Sequence, residues 1–240
     1  MRKIKHRILS TASLSKQLIE EAALHDIAID SIPFIKTKEV EPQNLKDKIE
    51  IFRQQNITAV FTSTNAVNAV LKYLKQKPGW TIYCMSGKTK EFVESNFQKE
   101  SIAGIAESAG QLAELIINDN VKRVVFFCGD QRRDELPVKL KEQGIYVEEV
   151  VVYSTTQTQI ELTAKYDGIL FFSPSAVDSF FSINHVDEIT YLFAIGLTTA
   201  KTIQQYNKNN IIISPTPSKE NIVKQIITHF NTIKNDQTVL

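Results

Sequence analysis

The sequence predicts an α/β protein: two similar domains, each a parallel sheet flanked by helices, joined by a two-stranded β connector, with the ligand cleft between them. Three observations carry this. First, "FTSTNAVNAV" (61–70) and "FFSPSAVDSF" (171–180) align without gaps, matching Phe61, Ser63, Ala66 and Val67 to Phe171, Ser173, Ala176 and Val177. Second, the spacing repeats: Ser63 to Ser86 and Ser173 to Gly196 are both 23 positions. Third, short apolar runs alternate with helix-period stretches, the pattern of βα units in a parallel sheet.

The elements follow in order. "ITAVFT" and "YDGILFF" are apolar runs rich in β-branched and aromatic residues and read as buried strands. "NAVNAVLKYLKQ" and "SAVDSFFSINH" after them read as helices, with Ser63 and Ser173 at the turns. "TIYCMSGKTKEFV" and "YLFAIGLTTAKTI" form the second pair, ending strands near Met85 and Ile195 and opening helices near Thr89 and Thr199. "IAGIAESAGQLAELI" and "NIIISPTPSKENIVKQI" form a looser third pair, with Ser108 and Ser218 placed as N-caps. The fourth pair is out of order: one member starts at Arg7, the other ("RVVFFCGDQRRDELPVKL…") at Arg123. Residues 48–147 therefore read as a continuous domain, and 1–36 plus 158–240 as a discontinuous one. The chain must cross twice, and 37–47 and 148–157, both β-rich, are the connector strands.

Composition narrows the class. With 240 residues, 42% apolar and 23% charged, the balance is that of a globular chain. A net charge of +1 argues against a general nucleic-acid binder. Cys84 and Cys128 form no C-x-x-C pair, and no apolar run reaches membrane-spanning length, so a cytoplasmic location without membrane association is expected. His6, His25, His185 and His229 lack ligand spacing, and no metal site is expected.

In an open parallel sheet, ligands bind beyond the carboxyl ends of the strands. The turn residues there are Ser63, Thr64, Asn65, Ser86, Gly87, Lys88 and Thr89 in one domain. In the other they are Ser173, Ser175, Gly196, Thr198 and Thr199, with Thr216 and Ser218. Hydroxyls and first-turn N–H groups at helix N-termini suit carboxylates or phosphates; capping alone would also place Ser and Thr there. "GKT" at Gly87–Thr89 is not a P-loop, because Ile82 stands where that motif needs glycine. Neither G-x-G-x-x-G nor G-x-S-x-G occurs. Tyr153, in the returning connector, can donate to a departing hydroxyl, or can be a strand tyrosine packed for its area. Arg132 and Arg133 open the helix after "FFCGDQ" and can clamp carboxylates, or be solvated.

The stretches "FTSTNAV", "VVVYSTT", "FFSPSAV", "AIGLTTAKTI" and "SPTPSKENIV", in that order, resemble the uroporphyrinogen-III synthase family across nearly the whole chain. Ser86 and Lys90 depart from the family pattern, which has glycine and often alanine there, while Thr89 keeps to it. The resemblance implies two α/β domains on a β connector and a cofactor-free enzyme. Its substrate would be hydroxymethylbilane, a linear tetrapyrrole with eight carboxylates. The implied reaction is a cyclising loss of water that inverts the last pyrrole ring. Tyr153 is the position implied to assist hydroxyl departure. The turns already named, with Arg132 and Ala176, are implied to hold the substrate. The expected protein is a monomer that receives substrate by transient handover from hydroxymethylbilane synthase. The alternative from another class is a non-catalytic two-domain binder or sensor of an anionic metabolite.

Overall fold

The structure, a computed structural model, describes residues 4–40, 45–208 and 210–236. Residues 41–44 of the expected first connector lie outside the described residues. The chain divides into two units: unit 1 comprises 1–36 and 156–240, and unit 2 comprises 37–155.

Unit 2 is built in chain order from β3 (Ile35–Glu39, which begins in unit 1), α2 (Leu45–Arg53), β4 (Thr58–Phe61), α3 (Thr64–Leu71), β5 (Thr81–Met85), α4 (Lys88–Asn96), β6 (Ile102–Ala106), α5 (Ala109–Asn118), β7 (Arg123–Gly129), α6 (Glu135–Glu142) and β8 (Tyr146–Gln157, which ends in unit 1). Unit 1 is built from β1 (His6–Ser10), α1 (Lys16–Ala23), β2 (Ile27–Ser31), β9 (Gly168–Phe171), α7 (Pro174–Phe181), β10 (Tyr191–Ala194), α8 (Leu197–Tyr206), β11 (Ile211–Ile213) and α9 (Lys219–Asp236). Among the described residues the sheets run β2-β1-β9-β10-β11 and β8-β7-β4-β5-β6, with β3 added outside β8. The strands from β4 to β8, and those of unit 1, pair in parallel. One strand order is therefore used twice, and the chain passes between units along the adjacent strands β3 and β8.

The sheets form because their strands are apolar on both faces, which a parallel sheet covered by helices requires. In β7 all six residues from Val124 to Gly129 are buried. Alternate residues serve opposite faces. Phe61, Val125 and Phe127 pack on one side of unit 2 with Trp80, while Val60, Val124 and Phe126 pack on the other with Tyr83. Phe127 lies between Phe61 and Trp80, at 5.3 and 5.5 Å centroid separation. Unit 1 alternates in the same way: Ile8 and Leu170 face one cluster, Leu9, Ile169 and Phe171 the other. Seryl caps start the helices. Ser63, Ser108 and Ser173 accept from the N–H of Ala66, Gln111 and Ala176, each at 3.2 Å, and Ser218 accepts from Asn221 at 3.0 Å.

The register of β7 on β8 breaks once. Cys128 pairs with Val151 but Gly129 pairs with Tyr153, so Val152 is an extra residue, a β-bulge.

Candidate active site

In both sheets the strand order reverses at one point, between β1 and β9 in unit 1 and between β7 and β4 in unit 2. Ligands of doubly wound sheets bind beyond the carboxyl ends at such points. Ser173 follows β9 and Ser63 follows β4, so the repeated phrase marks both positions.

Unit 2 adds a phenol there. The Tyr153 hydroxyl lies 3.2 Å from Ser63 Oγ, the oxygen that also caps α3. Burial pushes the Tyr153 phenol up, the Ser63 hydrogen bond pulls it down, and Cys128 and Asp130 push it up; the net direction is upward. The group is therefore neutral at physiological pH and retains its proton for donation. Its ring lines a cavity of about 490 Å³, with Thr37, Lys38, Asn65, Asn68, Leu71 and Lys72. Asn65, Asn68 and Lys72 are exposed at helical spacing along α3, which puts two amides and an ammonium along one wall. Unit 1 has cavities among 161–166 and 183–190, of about 280 Å³, and beside Arg7, Asp30 and Tyr166, of about 560 Å³. Neither is lined by a residue of the predicted turns.

The other predicted residues fall into three groups. Thr64 and Asn65 occupy the first turn of α3, and Ser175 and Ala176 that of α7. Ala176 is buried and gives its N–H to Ser173, so it can offer a ligand neither side chain nor an unused donor. The second group surrounds the glycyl caps. Gly87 and Gly196 cap α4 and α8 with no side-chain acceptor, and Gly87 has φ 67°, which favours glycine. Lys88 and Thr198 are exposed beside them. Ser86 is half-buried, and its N–H donates to Ala106. Thr89 and Thr199 are buried. The third group is Arg132 and Arg133, and here the sequence expectation is corrected. Helix α6 begins at Glu135, so both arginines lie in the loop before it. The Arg132 guanidinium pairs through Nε with Glu149 and through Nη1 with Asp134.

Lys38, Asn68, Leu71 and Lys72 were not singled out from the sequence. The i, i+3, i+7 polar spacing of Asn65, Asn68 and Lys72 after a seryl cap was the available signal; Lys38 had none. Among the described residues no three His, Cys, Asp or Glu side chains gather as metal ligands, and no helix is long and apolar enough to cross a membrane. Cys84 and Cys128 are buried thiols, each pushed up to about 11 by desolvation first, with smaller opposing charge effects.

A chain of two doubly wound α/β units, with polar turns at the carboxyl ends of both sheets, is a two-domain α/β protein of the kind that takes small-molecule ligands at strand ends. The particular family follows from comparison. The family model for uroporphyrinogen-III synthase HemD matches residues 16–224, and the chain belongs to that family of tetrapyrrole-biosynthesis enzymes, which act on a small-molecule substrate. It is 25% identical over 219 residues to uroporphyrinogen-III synthase of Schizosaccharomyces pombe, covering 82% of this chain and 85% of that protein. Identity to the Saccharomyces cerevisiae uroporphyrinogen-III synthase is 27% over 175 residues, covering 61% and 63%. Crystal structures share the fold. Uroporphyrinogen-III synthetase of Helicobacter pylori superposes with TM-score 0.67 at 19% identity, covering 93% of this chain and 99% of that one. A mutant uroporphyrinogen III synthase of Thermus thermophilus superposes with TM-score 0.66 at 12% identity, covering 96% and 100%.

Proposed function

We propose that this chain cyclises hydroxymethylbilane, with loss of water and inversion of the last pyrrole ring, to uroporphyrinogen III. The observation that carries the reading is the Tyr153 hydroxyl, 3.2 Å from Ser63, on the wall of a cavity that also holds Lys38 and Lys72. A neutral phenol can hydrogen-bond to, and protonate, the hydroxyl that departs from the terminal carbon. Ser63 supports the phenol and fixes its direction. The two lysines and two asparagines suit ligand carboxylates. The glycyl turn at Gly87–Lys88 supplies first-turn N–H groups for others of the eight. The substrate is intrinsically reactive, so the protein's share is to hold the reacting ends in one geometry and assist hydroxyl loss.

The same reading takes the protein as a cytoplasmic monomer. A bilane that also closes spontaneously favours direct handover from hydroxymethylbilane synthase. The test is to supply fresh hydroxymethylbilane to the purified chain, oxidise the product and separate isomers. Isomer III in excess is expected, without added metal or nucleotide. A non-catalytic binder would leave isomer I alone, at every protein concentration. Size-exclusion chromatography with light scattering should give one chain of 27.2 kDa per particle.

A further inference from the structure

We propose that Gly129 and Asp130, with the bulge at Val152, are a positioning device that aims the Tyr153 hydroxyl at Ser63. The proposal rests on the reading of Tyr153 above and concerns what holds that group in place.

Three independent features of the β7–β8 pair converge. The first is phase. Val150 and Val152 pack with Phe61 and Phe127, so strict alternation would send Tyr153 to the opposite face. The extra residue resets the alternation, and Tyr153 packs against the same cluster as Val150, towards the start of α3. The second is space. Gly129 is the partner of Tyr153, and a Cβ there would lie 2.5 Å from Cε2 and Cζ and 2.8 Å from the hydroxyl. The ring thus occupies the volume a side chain at 129 would need. The third is a clamp. The Asp130 N–H donates to Tyr153 O at 3.1 Å, and Asp130 Oδ1 accepts from the Thr155 N–H at 2.9 Å. These bonds grip the strand at Tyr153 and two residues beyond it.

Gly129→Ala should move the ring rather than the backbone, because the ring is half-buried while β7 is central in its sheet. A misplacement of about 1 Å can cost on the order of 10²-fold. We expect Gly129→Ala to lower kcat for isomer III about 10- to 10²-fold, with KM changed less than about threefold. Added to Tyr153→Phe, it should cost less than about threefold more, since the aim of an absent hydroxyl is immaterial. A folded Gly129→Ala with wild-type kcat, or losses that multiply in the double variant, overturns the proposal. NMR of ring-labelled tyrosine gives a readout independent of turnover. The Tyr153 signal is identified by its loss in Tyr153→Phe, and its titration should move down in Gly129→Ala, because a ring pushed out of place loses burial, the largest cause of its upward shift, which outweighs the lost Ser63 bond. An unchanged titration overturns the proposal. If Tyr153→Phe forms isomer III at the wild-type rate, the catalytic reading of Tyr153 fails, while the titration still decides whether Gly129 aims the ring. Should Gly129→Ala not fold, the clamp is tested alone: Asp130→Ala should lower kcat and Asp130→Asn, which keeps the acceptor, should restore most of it. Equal activity in those two variants overturns the clamp.

Discussion

The two units share a strand order and a repeated phrase but differ at one aromatic position. Both place a seryl cap where the sheet order reverses, Ser63 in unit 2 and Ser173 in unit 1, with the same 3.2 Å bond into the first turn. In unit 2 the strand beside β7 carries Tyr153, half-buried, its hydroxyl on the cap. In unit 1 the segment leaving β2 carries Phe34, fully buried, 5.3 Å from Phe180. The difference shows that the βα plan supplies polar turns wherever it is used, whereas the phenol reaches its turn because a local irregularity brings Tyr153 to that face of the sheet. Unit 2 has that irregularity in its bulge.

Substitutions in each unit test this contrast. The largest effect belongs to the cores. Phe127→Ala should destabilise unit 2 by about 3–5 kcal/mol, the usual range for a buried phenylalanine. If the units unfold separately, denaturation followed by circular dichroism will show one transition moved and one kept. A single unshifted transition would contradict the core assigned to Phe127.

Next comes the phenol itself. Tyr153→Phe keeps the ring and removes the hydroxyl, and kcat for isomer III should fall by about 10²-fold, the low end of general-acid contributions. Isomer III should still exceed isomer I, because positioning survives. Loss of all isomer III in a folded variant would instead make the phenol indispensable. The converse change, Phe34→Tyr, gives unit 1 a phenol without a place for it. It should cost about 1–3 kcal/mol for an unpaired buried hydroxyl and leave the isomer ratio as it was, measured by urea unfolding and product analysis.

The caps come next. Ser63→Ala and Ser173→Ala should each cost about 1 kcal/mol of stability through the lost cap. Ser63→Ala alone should also lower kcat, since among the described residues the unit 2 cap is the one bonded to a phenol. Equal kinetics in the two variants would erase the distinction between the units.

The smallest effect is electrostatic. Burial pushes Glu148 and Glu149 up, but Lys48 and Arg123 hold Glu148 down, and Lys141 and Arg132 hold Glu149 down, so both end below 4.5. A depressed carboxyl stabilises fully above its unfolded value and loses that contribution as pH falls through the folded one. Unit 2 should therefore weaken below about pH 4.5. Glu149→Gln should flatten that acid limb in thermal melts taken from pH 7 to pH 3.

Much of this was legible in the chain. The seryl caps were, because Ser-led helix starts satisfy orphan N–H groups locally and need no distant partner. The α/β class was, because both-face burial writes continuous apolar runs such as "RVVFFCG". The helical placement of Arg132 was misread: α6 begins at Glu135, and its partners Glu149 and Asp134 come from a distant strand and from the segment before the helix, which "RRD" alone does not show. Burial of Thr89 and Thr199 was equally hidden, since the rotation of a helix on its sheet decides which first-turn residue is covered.

The repeat, the alternation of strand and helix, the caps and the family resemblance are written in the chain, all set by local propensity and short-range pattern. Which of these groups meet depends on the folded chain. Ser63 and Tyr153 are 90 residues apart, and their contact depends on β7 separating β4 from β8 and on one extra residue in the β7–β8 register. Register between distant strands is a property of pairing and packing, not of either strand alone, so no local reading of "VVVYSTT" could show that Tyr153 turns to the face it does.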